Sequence, residues 1–154
     1  MILVSSCLAG LQVRYNGTDC LHEALARLVA EKRALTVCPE LLGGFATPRE
    51  PAEILGGEGS DVLEGNARVV DRSGRDVTEM YLRGAYETLR IARDVGADKV
   101  VLKEFSPSCG SQMIYDGTFS GEKRIGGGVT VALLRKEGIQ VLSEKQFIRG
   151  IDEI

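Results

Sequence analysis

Tryptophan is absent from this chain of 154 residues, histidine occurs once, and phenylalanine and tyrosine number four each. So few rings leave no row of platforms for a long single strand of nucleic acid, although one base could still be stacked. Long hydrophobic runs are missing as well. The longest stretch, Val129 to Leu134 broken by Thr130, falls far short of the ~20 residues that a bilayer demands. The amino terminus has no cationic lead into an apolar segment, so export is not expected and a cytoplasmic location is. Charge of one sign is also scarce. A net charge of −3 with acids and bases interspersed presents no basic face to duplex nucleic acid, and a small-molecule partner fits better. No local CxxC pair announces a zinc ribbon. Because His22 stands alone, outside every glycine-rich segment, a Ser-His-Asp hydrolase cannot be assembled.

What is present reads as one soluble globular domain over residues 1–154, with 44% apolar and 27% charged residues. Residues 1–6 form a short apolar run suited to a buried parallel strand, and 34–37 and 99–103 resemble it. Asp19 is placed to cap a helix over 20–32, whose Leu21, Leu25, Leu28 and Val29 share one face. Residues 40–61 carry so much glycine and proline that a long binding loop is expected, followed by a small hairpin over 61–71 that turns at Gly65-Asn66. Asp76 with Glu79 has the form of a capping box ahead of a helix that Gly96 ends. Gly126 to Gly128 precede a helix over 129–137, and 139–142 is the last strand. The alternation predicts a three-layer α/β domain with a mainly parallel, Rossmann-like sheet.

Four cysteines stand out against this background. Three of them, Cys7, Cys38 and Cys109, follow short strand-like runs, and residues just past the carboxyl ends of parallel strands converge on the crevice where open α/β sheets bind ligands. In a reducing compartment such cysteines are ligands, nucleophiles or packing rather than disulfides. Three thiolates select a soft metal and suit an iron–sulfur cluster with one iron left open, while burial as small apolar residues is the competing reading for each. Cys20, with no polar or glycine-rich motif around it, reads as packing.

The neighbours of the three add chemistry. Glu40 sits two residues beyond Cys38, either as a general base beside a metal site or as a solvated loop residue. Ser106, Ser108 and Ser111 surround Cys109 in an irregular segment and can orient a substrate. Arg49 can pair with Glu40 or Glu53 or meet a polar substrate, with a surface salt bridge as the plainer reading, and Lys103 and Glu104 end a strand that points at the crevice. The glycine run could offer amides to an anion, with a tight turn as the default.

The strings VSSCLAG with RYNG, CPELLGGFATPREPAEI, ARVVDRSGRDVTEMYLRGA and LKEFSPSCGSQMIYDGTFSGEKRIGGGVTVALL together resemble the 2-thiouracil desulfurase family over nearly the whole chain. That resemblance implies a [4Fe-4S] cluster held by Cys7, Cys38 and Cys109, and an enzyme that cleaves a C–S bond hydrolytically, turning 2-thiouracil or a related thio compound into its oxo form. The free iron would take the sulfur, Glu40 would activate water, and a serine, Ser108 first and Ser106 second, would assist. Arg49 and Lys103 become candidates for substrate binding. Where many relatives carry a further cysteine this chain has Val13, outside the three implied ligands. A non-catalytic iron–sulfur or metal-binding module is the alternative; thiolated RNA as substrate and a homodimeric assembly stay open.

Overall fold

A computed structural model describes residues 1–152 of the chain. Four parallel strands, β1 (Ile2–Ser5), β2 (Ala34–Val37), β5 (Lys99–Leu102) and β8 (Gln140–Ser143), lie in the order β2-β1-β5-β8. Two small antiparallel pairs stand apart from this sheet: β3 (Ala52–Leu55) with β4 (Arg68–Asp71), and β6 (Met113–Tyr115) with β7 (Lys123–Ile125). The helices are α1 (Glu23–Ala30), α2 (Pro39–Leu42), α3 (Gly59–Leu63), α4 (Thr78–Asp94), α5 (Val129–Lys136) and α6 (Glu144–Asp152).

Alternation along the strands makes the three layers. Side chains one residue apart on a strand face opposite ways. Leu3, Val100 and Leu102 accordingly join a core with Leu89 of α4 and Leu134 of α5, while Val4 and Val101 join a second core with Leu25 of α1 and Phe147 of α6. These strands are apolar on both faces because both are covered, which gives the run-like pattern seen in the sequence.

Register sets the carboxyl ends of the central strands level, with Ser5 opposite Val37 and Val4 opposite Val101. Strand order reverses at β1, since the chain leaves it to reach β2 on one side and returns to β5 on the other. Diverging connections open a crevice between β1 and β5 at those ends.

Several boundaries differ from expectation. The first helix begins at Glu23, not Cys20, because the Asp19 carboxylate accepts the Leu21 amide in a local turn, which leaves Leu21 outside the helix and exposed. Asp76 likewise accepts the Thr78 amide, and helix α4 starts at Thr78 without a side-chain cap. The expected loop over 40–61 holds α2, β3 and the start of α3, so the hairpin is 52–55 against 68–71 with α3 in its connection. Short elements between glycines have too little period to be read. Strands β6 and β7 and helix α6 were equally invisible.

Candidate active site

The crevice holds a cavity of about 410 Å3. Cys7 enters it from the 3₁₀ turn Ser6–Ala9 that follows β1, Cys38 from the residue after β2, and Cys109 from the segment after β5. All three thiols are free, and Cys7 and Cys109 are buried. Burial pushes the Cys7 thiol up to about 12, with the neighbouring sulfurs of Cys20 and Cys38 adding to the effect. Burial raises Cys109 as well, then the charge of Glu40 and the thiol of Cys38. Cys38 is also raised by burial, and the Leu41 amide partly offsets the rise. The three thiols line one cavity, and a metal that binds them must displace their protons.

The donor set tests which metal group fits. Among the described residues, no three Cys, His, Asp or Glu side chains close around a point as they would for a single ion. His22, at the amino end of α1, does not line the cavity, so a mixed Cys/His zinc site has no histidine. Three thiols spaced around a cavity instead match a cluster whose irons each take one protein ligand, and a [4Fe-4S] group fits the residues present. Cys20 is absent from the lining and packs against the apolar cluster that includes Cys7, Leu8 and Leu25.

Glu40 rises from the single turn of α2 onto the wall of this cavity, where its side chain is 14% exposed. Arg49 Nε donates to its Oε2 at 3.2 Å and the Tyr81 hydroxyl donates to the same oxygen at 3.1 Å. The Arg49 side chain is only 7% exposed, so the pair is part of the cavity wall and not a surface bridge. Burial first and the Glu40 charge second raise the Tyr81 phenol well above its usual value, which keeps the hydroxyl a donor. In the sequence Tyr81 is one member of the apolar face that α4 shares among Tyr81, Ala85, Leu89 and Ala92. A buried tyrosine needs a partner for its hydroxyl, and that requirement was the available signal.

On the segment after β5, Ser106 and not Ser108 lies on the cavity wall. The Ser106 hydroxyl accepts the Cys109 amide at 2.8 Å and the Ser108 amide at 3.2 Å. Ser108 is 1% exposed and its hydroxyl shares a 2.7 Å hydrogen bond with Thr130 behind the wall. Lys103 lines the cavity, but its ammonium is tied to Glu144 at 3.1 Å. Two of the three amides in the glycine run go to backbone carbonyls, with Gly126 donating to that of Gln112 at 3.0 Å. Gly128 donates to the Gly110 carbonyl at 2.8 Å, Val129 to that of Pro107 at 2.7 Å and Thr130 to that of Ser108 at 3.0 Å. A Cβ on Gly128 would collide with the Ser108 backbone, so the glycine lets α5 clamp the segment that carries Cys109. Beside it, buried Glu53 holds the amides of Gly117 and Phe119 at 2.9 and 3.2 Å, fixing a turn at the cavity mouth.

Soft donors at the switch point of a parallel sheet, with a carboxylate held on the same wall, define an α/β protein whose crevice suits an iron–sulfur centre. Comparison with known proteins narrows the class. Residues 2–146 match the family described as 2-thiouracil desulfurase, and the chain belongs to that family. Its relative YbbK of Bacillus subtilis (strain 168), which bears the description of an uncharacterized protein, is 59% identical over 147 residues, covering 96% of this chain and 97% of the relative. The solved structure of a [4Fe-4S]-dependent thiouracil desulfidase, TudS, matches with a TM-score of 0.84 at 44% identity, covering 99% of this chain and 98% of that one.

Proposed function

We propose that this protein is a [4Fe-4S]-dependent desulfurase that converts 2-thiouracil, or a related thiolated base, to the oxo compound. The balance is hydrolytic: water supplies the oxygen, the C–S bond gives way to C–O, sulfur leaves as hydrosulfide, and no net electrons are exchanged. One observation carries the reading, namely that three cysteines distant in sequence share a single cavity with the Glu40 carboxylate. Membership of the desulfurase family supports it.

Cys7, Cys38 and Cys109 would hold the cluster. When bound, it supplies a Lewis-acidic iron with affinity for a soft thiocarbonyl sulfur. The chain's own residues do the rest. Glu40 offers a carboxylate oxygen to a water in the cavity and takes its proton as the water approaches the ring carbon. Arg49 holds the charge of that carboxylate in place. Ser106, on the wall, orients the base through its hydroxyl, and Ser108 acts indirectly by bracing the segment against Thr130. Lys103 contributes positive potential to the wall while staying paired with Glu144. A cavity of this size suits a small substrate such as a pyrimidine.

Residues 1–154 act in this reading as one desulfurase domain on a small molecule. No helix among the described residues is long and apolar enough to cross a membrane. Four free cysteines suit a reducing compartment, and we place the protein in the cytoplasm.

Anaerobic reconstitution with iron and sulfide tests the proposal. Wild type should show the absorption and EPR of a [4Fe-4S] group and release sulfide from 2-thiouracil, and alanine at Cys7, Cys38 or Cys109 should abolish both. A protein that holds no iron, or a cluster indifferent to those three residues, would overturn it.

A further inference from the structure

Helix α2 is a single turn, Pro39–Leu42, too short to fix the direction of a side chain by its own stability. Its place is set by α4. A Cβ on Gly84 of α4 would collide with the Pro39 carbonyl, and a Cβ on Gly43 would collide with the Met80 carbonyl. Two glycines thus let the backbones of α2 and α4 touch, which brings Glu40 above a tyrosine 41 residues away in sequence.

That tyrosine cannot swing. Tyr81 is 3% exposed, and its ring packs edge-on against Phe45 with centroids 5.2 Å apart at 60°. Its hydroxyl and Arg49 Nε both donate to Oε2 of Glu40, whereas among the described residues Oε1 accepts no hydrogen bond. Two donors on one oxygen and none on the other leave the carboxylate a single orientation.

We infer that Tyr81 is a positioning residue that aims Glu40, holding Oε2 against the wall so that Oε1 is the oxygen that meets water. The inference rests on the reading of Glu40 as the base. Tyr81 acts through Glu40 and on no substrate atom, so its loss should impair the chemical step and spare binding. Misplacing a catalytic group by about 1 Å costs on the order of 10²-fold in rate.

The test compares wild type, Tyr81→Phe, Glu40→Gln and the double variant, each reconstituted anaerobically, with iron content, thermal midpoint, kcat and KM measured on 2-thiouracil. Tyr81→Phe should keep its iron, its fold and its KM, with a midpoint lowered only by the loss of one hydrogen bond, while kcat falls about 10- to 100-fold. In the Glu40→Gln background the same change should cost nothing further, because the two act as a unit. A crystal structure of metal-free Tyr81→Phe adds a readout independent of turnover: the Glu40 carboxylate should leave its single orientation. Undiminished kcat in Tyr81→Phe, an equal further loss in the double variant, or a loss of iron or folding would overturn the assignment. If Glu40→Gln turns over like wild type, the base itself is misassigned; if it is inactive while Tyr81→Phe is fully active, only the role of Tyr81 fails.

Discussion

Two of the glutamates that line the cavity, Glu104 and Glu40, have opposite fates. Glu104, on the segment after β5, has both oxygens occupied: Oε1 accepts the amides of Ser111, Gln112 and Met113 at 2.6, 3.0 and 3.2 Å, and Oε2 accepts the Ser111 hydroxyl at 2.7 Å. Burial pushes its carboxyl up, but the Gln112 amide and the Ser111 hydroxyl outweigh it and the net shift is downward. Glu40, on the α2–α4 wall, has both of its donors on one oxygen. Glu104, saturated, is a strut that orders a loop, whereas Glu40 keeps an oxygen free of protein donors. The number of donors, not residue type or exposure alone, separates the two.

The largest effects should fall on the thiols. Alanine at Cys7, Cys38 or Cys109 should remove iron and turnover together, and iron counting alone reads the outcome. Next, Glu40→Gln should lower kcat by about 10²–10⁴-fold with iron retained. If Glu104→Gln did the same, the distinction between strut and base would collapse. The serines sharpen the comparison within one segment. Ser106→Ala should cost about 10²-fold in turnover, with iron counted alongside because its hydroxyl also ties the Cys109 amide. Ser108→Ala should cost about 1 kcal/mol of stability, read by urea unfolding, with turnover kept.

Glu104→Gln should destabilise the metal-free protein by about 1–3 kcal/mol at neutral pH. Because the folded carboxyl lies below its ordinary value of 4.5, its contribution is complete above that pH and is lost as pH falls through the folded value. Unfolding curves for wild type and variant should therefore converge toward acid. Curves that stay parallel would mean that the charge on Glu104 contributes nothing. Smallest of all, Cys20→Ser should leave iron content unchanged, since Cys20 packs outside the cavity.

Much of the frame was legible because it is local. The strands 34–37 and 99–102 and the helix ended near Gly96 follow from apolar period and from glycine at a helix end. The partners inside the cavity were harder. Arg49 could be given two acidic partners from the sequence, and only packing chose Glu40 and buried the pair. Ser106 and Ser108 differ by two positions in an irregular segment, where no period says which hydroxyl faces inward. The glycines at 126–128 looked like a turn or an anion cradle, and they are the surface against which the Cys109 segment is clamped.

By itself, then, the sequence determined the order along the chain of the four parallel strands and of helices α1, α4 and α5, and the seating of three cysteines past strand ends, because hydrophobic spacing and strand termini are properties of neighbouring residues. Only the tertiary structure decided that Tyr81 meets Glu40, that Ser106 rather than Ser108 lines the cavity, and that Glu104 is saturated. Each of those depends on contacts across the fold, where two glycines on α2 and α4 or one loop against α5 bring together groups whose spacing along the chain carries no sign of the encounter.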